Sequence, residues 1–189
     1  MTGNLLHKLQ IKKSLLRFDE HTEINLIPEI ITRLKAGKNV GIITDAGTPT
    51  LSDPGYKLVR ECAQEQIPVV NISGPSAITS ALAVSGLPTD HFMFWGYLPK
   101  TEVHISQVLE KMKQINEIQK TSMIFFESPF RLLKTLRIIK NILPDAHLAV
   151  CRELTKLHEE IVRCNADEIL KILSTRPGIK GEITVVMTI

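Results

Sequence analysis

Apolar residues recur along this chain in two rhythms, and the rhythms alternate. Leu26, Ile27, Ile30, Ile31 and Leu34 fall at helical spacing, with Gly37 where a C-terminal cap belongs. The next apolar run, Val40-Gly-Ile-Ile-Thr44, is continuous and β-branched, which predicts a buried strand over 39–44. Pro54-Gly55 opens a second predicted helix over 55–66, with Leu58, Val59 and Cys62 inward. A strand is expected over 67–72, then an alanine-rich helix over 75–85 stopped by Gly86-Leu-Pro88. Strand and helix signals in alternation predict an α/β protein with a parallel sheet.

The character changes after Pro88. Phe92-Met-Phe-Trp-Gly-Tyr97 reads as a strand ending at Leu98-Pro99. A polar helix is expected over 102–117, a strand over 121–126 and a helix over 129–142 with Leu132, Leu133, Leu136 and Ile139 on one face. Strands over 146–151 and 182–188, with a short helix over 166–173 between them, complete the reading. Two domains are expected, 1–89 and 90–189.

Composition narrows the classes. At 43% hydrophobic and 23% charged, the 189 residues can bury an ordinary core, and disorder is disfavoured. A net charge of +3 permits an anionic partner without demanding one. The three cysteines, Cys62, Cys151 and Cys164, form no Cys-x-x-Cys pair, so neither a zinc site nor a disulfide framework is indicated. His158 beside Glu159 and Glu160 lacks any second ligand spacing, and no metal is expected. No apolar run reaches the roughly 18 residues of a membrane span. The N-terminus lacks a signal-peptide core. A cytoplasmic protein is expected.

Two loops carry the candidate chemistry. Asp45-Ala-Gly-Thr-Pro-Thr-Leu-Ser-Asp-Pro-Gly55 and Ser73-Gly-Pro-Ser76 each follow a strand-like run and lead into a helix. Small residues there let backbone groups approach a ligand, and the carboxyl ends of parallel strands are where open α/β sheets bind. Gly-x-Gly-x-x-Gly and Gly-x4-Gly-Lys-Ser/Thr are both absent, which disfavours a Rossmann dinucleotide site and a P-loop. Further on, Phe126-Glu-Ser-Pro-Phe-Arg131 and Cys151-Arg-Glu-Leu-Thr-Lys-Leu-His-Glu-Glu160 crowd ionisable groups just after strands. Lys12, Lys13 and Arg17, with Arg131, Lys134, Arg137 and Lys140, could form basic patches for phosphates.

These segments, with Ser85-Gly-Leu-Pro88, Gly96-Tyr-Leu-Pro99, Arg152-Glu-Leu-Thr-Lys156 and Gly181-Glu182, occur in the same order as in the bacterial 16S ribosomal RNA (cytidine) 2′-O-methyltransferases, of the tetrapyrrole methylase superfamily. The chain resembles that family from about residue 2 to 189. The resemblance implies a two-domain tetrapyrrole-methylase-like fold, with a mostly parallel sheet in the first domain and a mixed sheet in the second. It implies an S-adenosyl-L-methionine cofactor held by Asp45, Gly47, Thr48, Pro49 and Leu51, and by Ser76 and Ala77. Glu127 or its neighbour Phe126, with Leu154, would line the cofactor from the second domain, and Gly181 and Glu182 would close over the adenine. The family opens with a strand, a Pro-x-Gly-Asn turn, a helix, a second strand and a Glu-Asp-Thr-Arg motif. Thr2-Gly-Asn-Leu-Leu6 resembles the residues just after that motif, so this strand–helix–strand unit is expected to be missing. Phe130 stands where a His is common, and Cys164 where Gly is usual.

The implied reaction moves a methyl group to a ribose 2′-hydroxyl of 16S ribosomal RNA in the small ribosomal subunit. A hydroxyl is a poor nucleophile, so a base or a cation near the oxygen should help. The candidates are Glu127, Glu153 and Lys156, with Arg131 and Arg152 gripping phosphate. A homodimer is expected. Two alternatives remain at this point: a methyltransferase of the same fold acting on a tetrapyrrole or a protein, and an inactive RNA-binding remnant.

Overall fold

The computed structural model describes residues 2–189. The chain divides into two compact units, 1–75 and 76–189.

The first unit is helical. It contains α1 (Thr2–Lys8), α2 (Glu23–Lys35) and α3 (Tyr56–Gln64). The apolar faces of α2 and α3 meet through Ile30, Ile31, Leu58 and Cys62, with Phe18, Leu26, Ile42 and Ile67 packed around them. Glu23 is buried and is neutralised by the Lys57 ammonium at 2.6 Å, which ties the start of α2 to α3. Gly37, at φ 77°, ends α2 in the left-handed conformation that the sequence anticipates.

The two strands expected in this unit are not formed. Residues 39–44 and 67–72 have no strand hydrogen bonding among the described residues. Val40, Ile43, Val69, Val70 and Ile72 are exposed, Ile72 at 84%. Their apolar pattern is that of sheet interior, but a strand exists only when a neighbour takes up its N–H and C=O groups. Among the described residues no such neighbour pairs with either segment, and the parallel sheet expected in this unit is not formed there.

The second unit holds α4 (Ala77–Ser85), β1 (Phe92–Tyr97), α5 (Glu102–Ile118), β2 (Ser122–Glu127), α6 (Leu132–Ile142), β3 (His147–Arg152), β4 (Glu160–Asn165), α7 (Ala166–Ser174) and β5 (Ile183–Thr188). The strands form one mixed sheet in the order β1-β2-β5-β3-β4. β1 and β2 are parallel, and β5 is antiparallel to both β2 and β3. It follows that β1, β2 and β3 all end at the same edge of the sheet.

Alternation along the central strands sorts side chains between two layers. Met123, Phe125, Leu148, Val150, Val185 and Met187 face α5, α6 and α7. Ile124, Ala149, Cys151 and Val186 face α4, where they meet Ile78, Ala81 and Leu82. This packing is why α4 belongs with the sheet and the division falls after Pro75, ahead of the expected boundary at 89/90. β4 was not expected. It is an edge strand, and its charged Glu160 and Arg163 mask the apolar alternation of Ile161, Val162 and Cys164.

Candidate functional site

The loop over 45–55 is shaped by backbone geometry that few residues adopt. Gly47 (φ 70°) and Gly55 (φ 129°) are joined in the positive-φ region by Thr50 (φ 75°) and Ser52 (φ 62°). For a threonine that conformation is strained, and such strain persists where the surroundings impose it. Two side-chain bonds supply the constraint. The Thr44 hydroxyl donates to Asp53 Oδ2 at 3.0 Å and closes the base of the loop. The Thr48 hydroxyl donates to the Pro75 carbonyl at 3.0 Å, so this loop is fastened to the Ser73-Gly-Pro-Ser76 bend twenty-seven positions on.

Asp45, Gly47 and Leu51 are exposed, and Thr48 and Pro49 are half-buried. The charged groups the loop itself carries are the carboxylates of Asp45 and Asp53. A loop with acceptors and no cation suits a ligand that is itself cationic and rich in hydroxyls. The Thr48–Pro75 bond brings the 45–55 loop beside the bend at Pro75.

On the sheet side, Ser76 precedes α4 as its N-cap residue, in extended geometry, and makes no capping bond with its side chain. The first turn of α4 starts with Ala77 and leaves free backbone N–H groups there. At the far end of the same helix Gly86 adopts φ 74°, and Arg163 of β4 donates to the Ser85 carbonyl at 3.0 Å and to the Val84 carbonyl. Sequence reasoning missed this clamp. Its signal is a lone arginine inside an edge strand facing the helix layer.

Phe126 packs edge to face against Phe94 at 4.9 Å and Tyr97 at 5.6 Å. With Leu154 these rings lie against the apolar cluster under α4. Phe94, Phe126 and Leu154 make an apolar patch beside that cluster.

Glu127 has a different job from the catalytic one expected of it. Its side chain has no exposed surface. Its carboxylate accepts from the Ser128 N–H at 2.7 Å and from the Thr135 hydroxyl at 2.6 Å, and pairs with Arg131 Nε at 3.3 Å. A carboxylate so filled and so buried is a structural tie, not a base with access to substrate. Arg131 likewise turns inward. Its Nη2 donates to the Leu98 and Pro99 carbonyls, both at 2.7 Å, which binds the β1–α5 turn to the β2–α6 turn.

Arg152 is also committed to protein acceptors rather than free for phosphate. It donates to Glu160 Oε2 at 3.1 Å and to the Lys180 carbonyl at 3.2 Å. Arg176 reaches the same Glu160 with two donors, at 2.7 and 2.5 Å. Hydrogen bonds and charge from Arg176, then Arg152, pull the Glu160 carboxyl down to about 2. Both arginines expected to bind RNA are thus corrected to structural roles.

Glu153 and Lys156, expected as catalytic candidates, meet Glu182, which was expected at the adenine. The Lys156 ammonium lies 3.0 Å from Glu153 Oε1 and 3.1 Å from Glu182 Oε2. Glu153 Oε1 also accepts from the Glu182 N–H at 2.9 Å. Glu153 (φ 51°) and Thr155 (φ 65°) are both strained and flank Leu154. The Glu182 N–H, then Lys156, hold the Glu153 carboxyl below its usual range. The bond to Glu153 raises the Lys156 ammonium above its own. At neutral pH the pair is a carboxylate and an ammonium, so Lys156 offers a fixed cation and Glu153 is a weakened base.

The thiols are inert. Burial pushes Cys151 up to about 11. Among the described residues no group of three metal-ligating side chains converges, and no helix is long and apolar enough to cross a membrane.

Comparison with known proteins now places this arrangement. The model of the tetrapyrrole (corrin/porphyrin) methylases matches residues 5–170. The chain belongs to that family. Among curated relatives, the ribosomal RNA small subunit methyltransferase I of Thermotoga maritima is 46% identical over 184 residues, covering 97% of this chain and 80% of its own. The proteins of the same name from Hydrogenobaculum sp. and Halalkalibacterium halodurans are 40% and 38% identical. They are covered over 74% and 63% of their length, and cover 93% and 98% of this chain. Among solved structures, diphthine synthase superposes with a TM-score of 0.65 at 14% identity, over 98% of this chain and 73% of its own. A uroporphyrin-III C-methyl transferase from Thermus thermophilus, complexed with S-adenyl homocysteine, gives 0.52 at 10% identity, over 87% and 73%. These likenesses show the fold.

Proposed function

We propose that this chain is an S-adenosylmethionine-dependent methyltransferase that modifies the 2′-hydroxyl of a cytidine ribose in 16S ribosomal RNA. Kinship with ribosomal RNA small subunit methyltransferases at up to 46% identity supports the substrate class. The observation in the structure that carries the cofactor reading is the Thr48–Pro75 hydrogen bond, which fastens the two small-residue bends to each other.

S-adenosylmethionine, when bound, supplies a methyl group on a positively charged sulfur. Asp45 is the exposed carboxylate suited to accept from ribose hydroxyls. Gly47, Thr48, Pro49 and Leu51 supply backbone groups and an apolar wall, and Ser76 and Ala77 supply the open turn of α4. The family resemblance adds Phe126, Leu154, Gly181 and Glu182 to the residues that would line the nucleoside.

Methyl transfer turns the attacking hydroxyl into an ether and releases its proton. Lys156, protonated and held by Glu153 and Glu182, favours negative charge growing on that oxygen. Glu153 then acts through Lys156, as its positioning partner. Positioning of the ribose for in-line displacement supplies much of the remaining acceleration. The substrate is RNA of the small ribosomal subunit, the working unit is a homodimer, and the reaction belongs in the cytoplasm.

The test is transfer of tritiated methyl from S-adenosylmethionine to small ribosomal subunits, followed by digestion to nucleosides. The account expects label in 2′-O-methylcytidine. Label on a base, or none in RNA while a protein or a tetrapyrrole accepts it, would overturn the reading.

A further inference from the structure

Phe130 sits at the tip of the β2–α6 turn and is 94% exposed. Its neighbour Arg131 points the other way, into the protein, and by gripping the Leu98 and Pro99 carbonyls it holds the β1–α5 turn alongside. Lys100 follows directly on that held turn, and Lys134 lies in the first turn of α6. Both are exposed, and neither has a hydrogen-bond or ion-pair partner among the described residues. Arg137, one turn further along the exposed side of α6, is also without one. Of the nearby acids, Glu127 is fully consumed by Ser128, Thr135 and Arg131, and Glu102, at the start of α5, is exposed. A single exposed ring is ordinary by itself, but this one is set among unpaired cations on two turns fixed to each other.

We propose that this corner is a contact surface for unpaired nucleotides of the RNA substrate. Phe130 stacks on a base, and Lys100 and Lys134 pair with the flanking phosphates. Stacking on an exposed aromatic needs a base freed from its helix, which single-stranded or splayed RNA presents. The cations match a polyanion rather than an apolar peptide. The corner lies at the sheet edge where β1, β2 and β3 end, the same edge that carries Lys156. Arg131, expected from sequence to grip phosphate, instead builds the platform that Phe130 and Lys100 share. The inference rests on the RNA-methyltransferase reading.

The experiment measures fluorescence anisotropy of the full chain with a short labelled single-stranded RNA rich in cytidine, across a salt series. Phe130→Ala should weaken binding roughly five- to a hundredfold with an unchanged salt slope, and Phe130→Trp should restore it. Lys100→Ala and Lys134→Ala should each reduce the slope of log affinity against log salt by about 0.7. Phe130 is exposed, so its variants should keep the wild-type Tm. Wild-type affinity and slope in all three alanine variants would overturn the surface alone. If Phe130→Ala changes the oligomeric state and leaves RNA affinity intact, the corner is a contact between copies and the proposal fails. A wild-type chain that binds S-adenosylhomocysteine but no RNA would remove the function reading itself.

Discussion

Gly181 lies against the side chain of Glu153 so closely that no larger residue fits. A Cβ at position 181 would be 2.4 Å from Glu153 Cγ and 2.7 Å from Oε1, and the glycine itself adopts φ 96°. The contact sets Glu153 where it can accept from the Glu182 N–H and hold Lys156. Gly181→Ala should cost about 1–3 kcal/mol of stability through overpacking and a disfavoured φ. Urea denaturation reads it; an unchanged midpoint would mean that the loop yields freely.

Lys156 is expected to act as a charge rather than as a base. Lys156→Met should lower the single-turnover rate roughly a hundredfold with little change in affinity for S-adenosylhomocysteine, and Lys156→Arg should recover part of the loss. Glu153→Gln should also lower turnover while leaving cofactor affinity near wild type. Full turnover in both Lys156→Met and Glu153→Gln would remove the cluster from the mechanism.

Glu127 should behave as a structural residue. Glu127→Ala leaves Arg131 charged and partly buried and Thr135 without its acceptor, at about 3–5 kcal/mol. Glu127→Gln keeps one oxygen acceptor, for the Ser128 N–H, and its amide N–H can donate to the Thr135 hydroxyl, so it should lose less. Calorimetry of both variants checks the order. A Glu127→Ala protein with wild-type Tm and no activity would restore a catalytic role.

Acid stability should report on Glu160. Its folded value of about 2 lies below the ordinary 4.5, so its contribution is complete above about pH 4.5 and is lost as pH falls toward 2. Its side chain is 29% exposed, which screens the pairs, and on the order of 1–2 kcal/mol is expected. Glu160→Gln should therefore lower stability at pH 7 and flatten the curve between pH 4.5 and 2. A parallel acid limb in the variant would show that other carboxylates dominate.

Much of the sheet unit was legible because its central strands β2, β3 and β5 are buried on both faces. Runs such as Met123-Ile-Phe-Phe126 and Thr184-Val-Val-Met187 need no partner identity to be recognised as interior strands. The same signal misled at 39–44 and 67–72, where the residues suit a sheet but no neighbour completes the ladder. Periodicity reports which face wants burial; it does not report whether a partner is present. Motif reading singled out Glu153, Lys156 and Glu182 without showing that they pair, and it set the Thr48 loop beside the Ser73–Ser76 bend. It did not reveal which charges were already spent. Glu127, Arg131 and Arg152 look like chemistry in a linear sequence, yet their partners Thr135, Leu98, Pro99, Glu160 and Lys180 lie between 8 and 33 positions away.

The grip of the two bends on a sulfonium nucleoside is tested most directly by titration calorimetry of S-adenosylhomocysteine. The account predicts one saturable site in the wild-type chain. It predicts at least a roughly tenfold weaker site in Asp45→Ala, which loses a hydrogen bond to a charged acceptor. Thr48→Val, which unfastens the loop from Pro75, should weaken binding in the same direction. Wild-type affinity in both variants would contradict it.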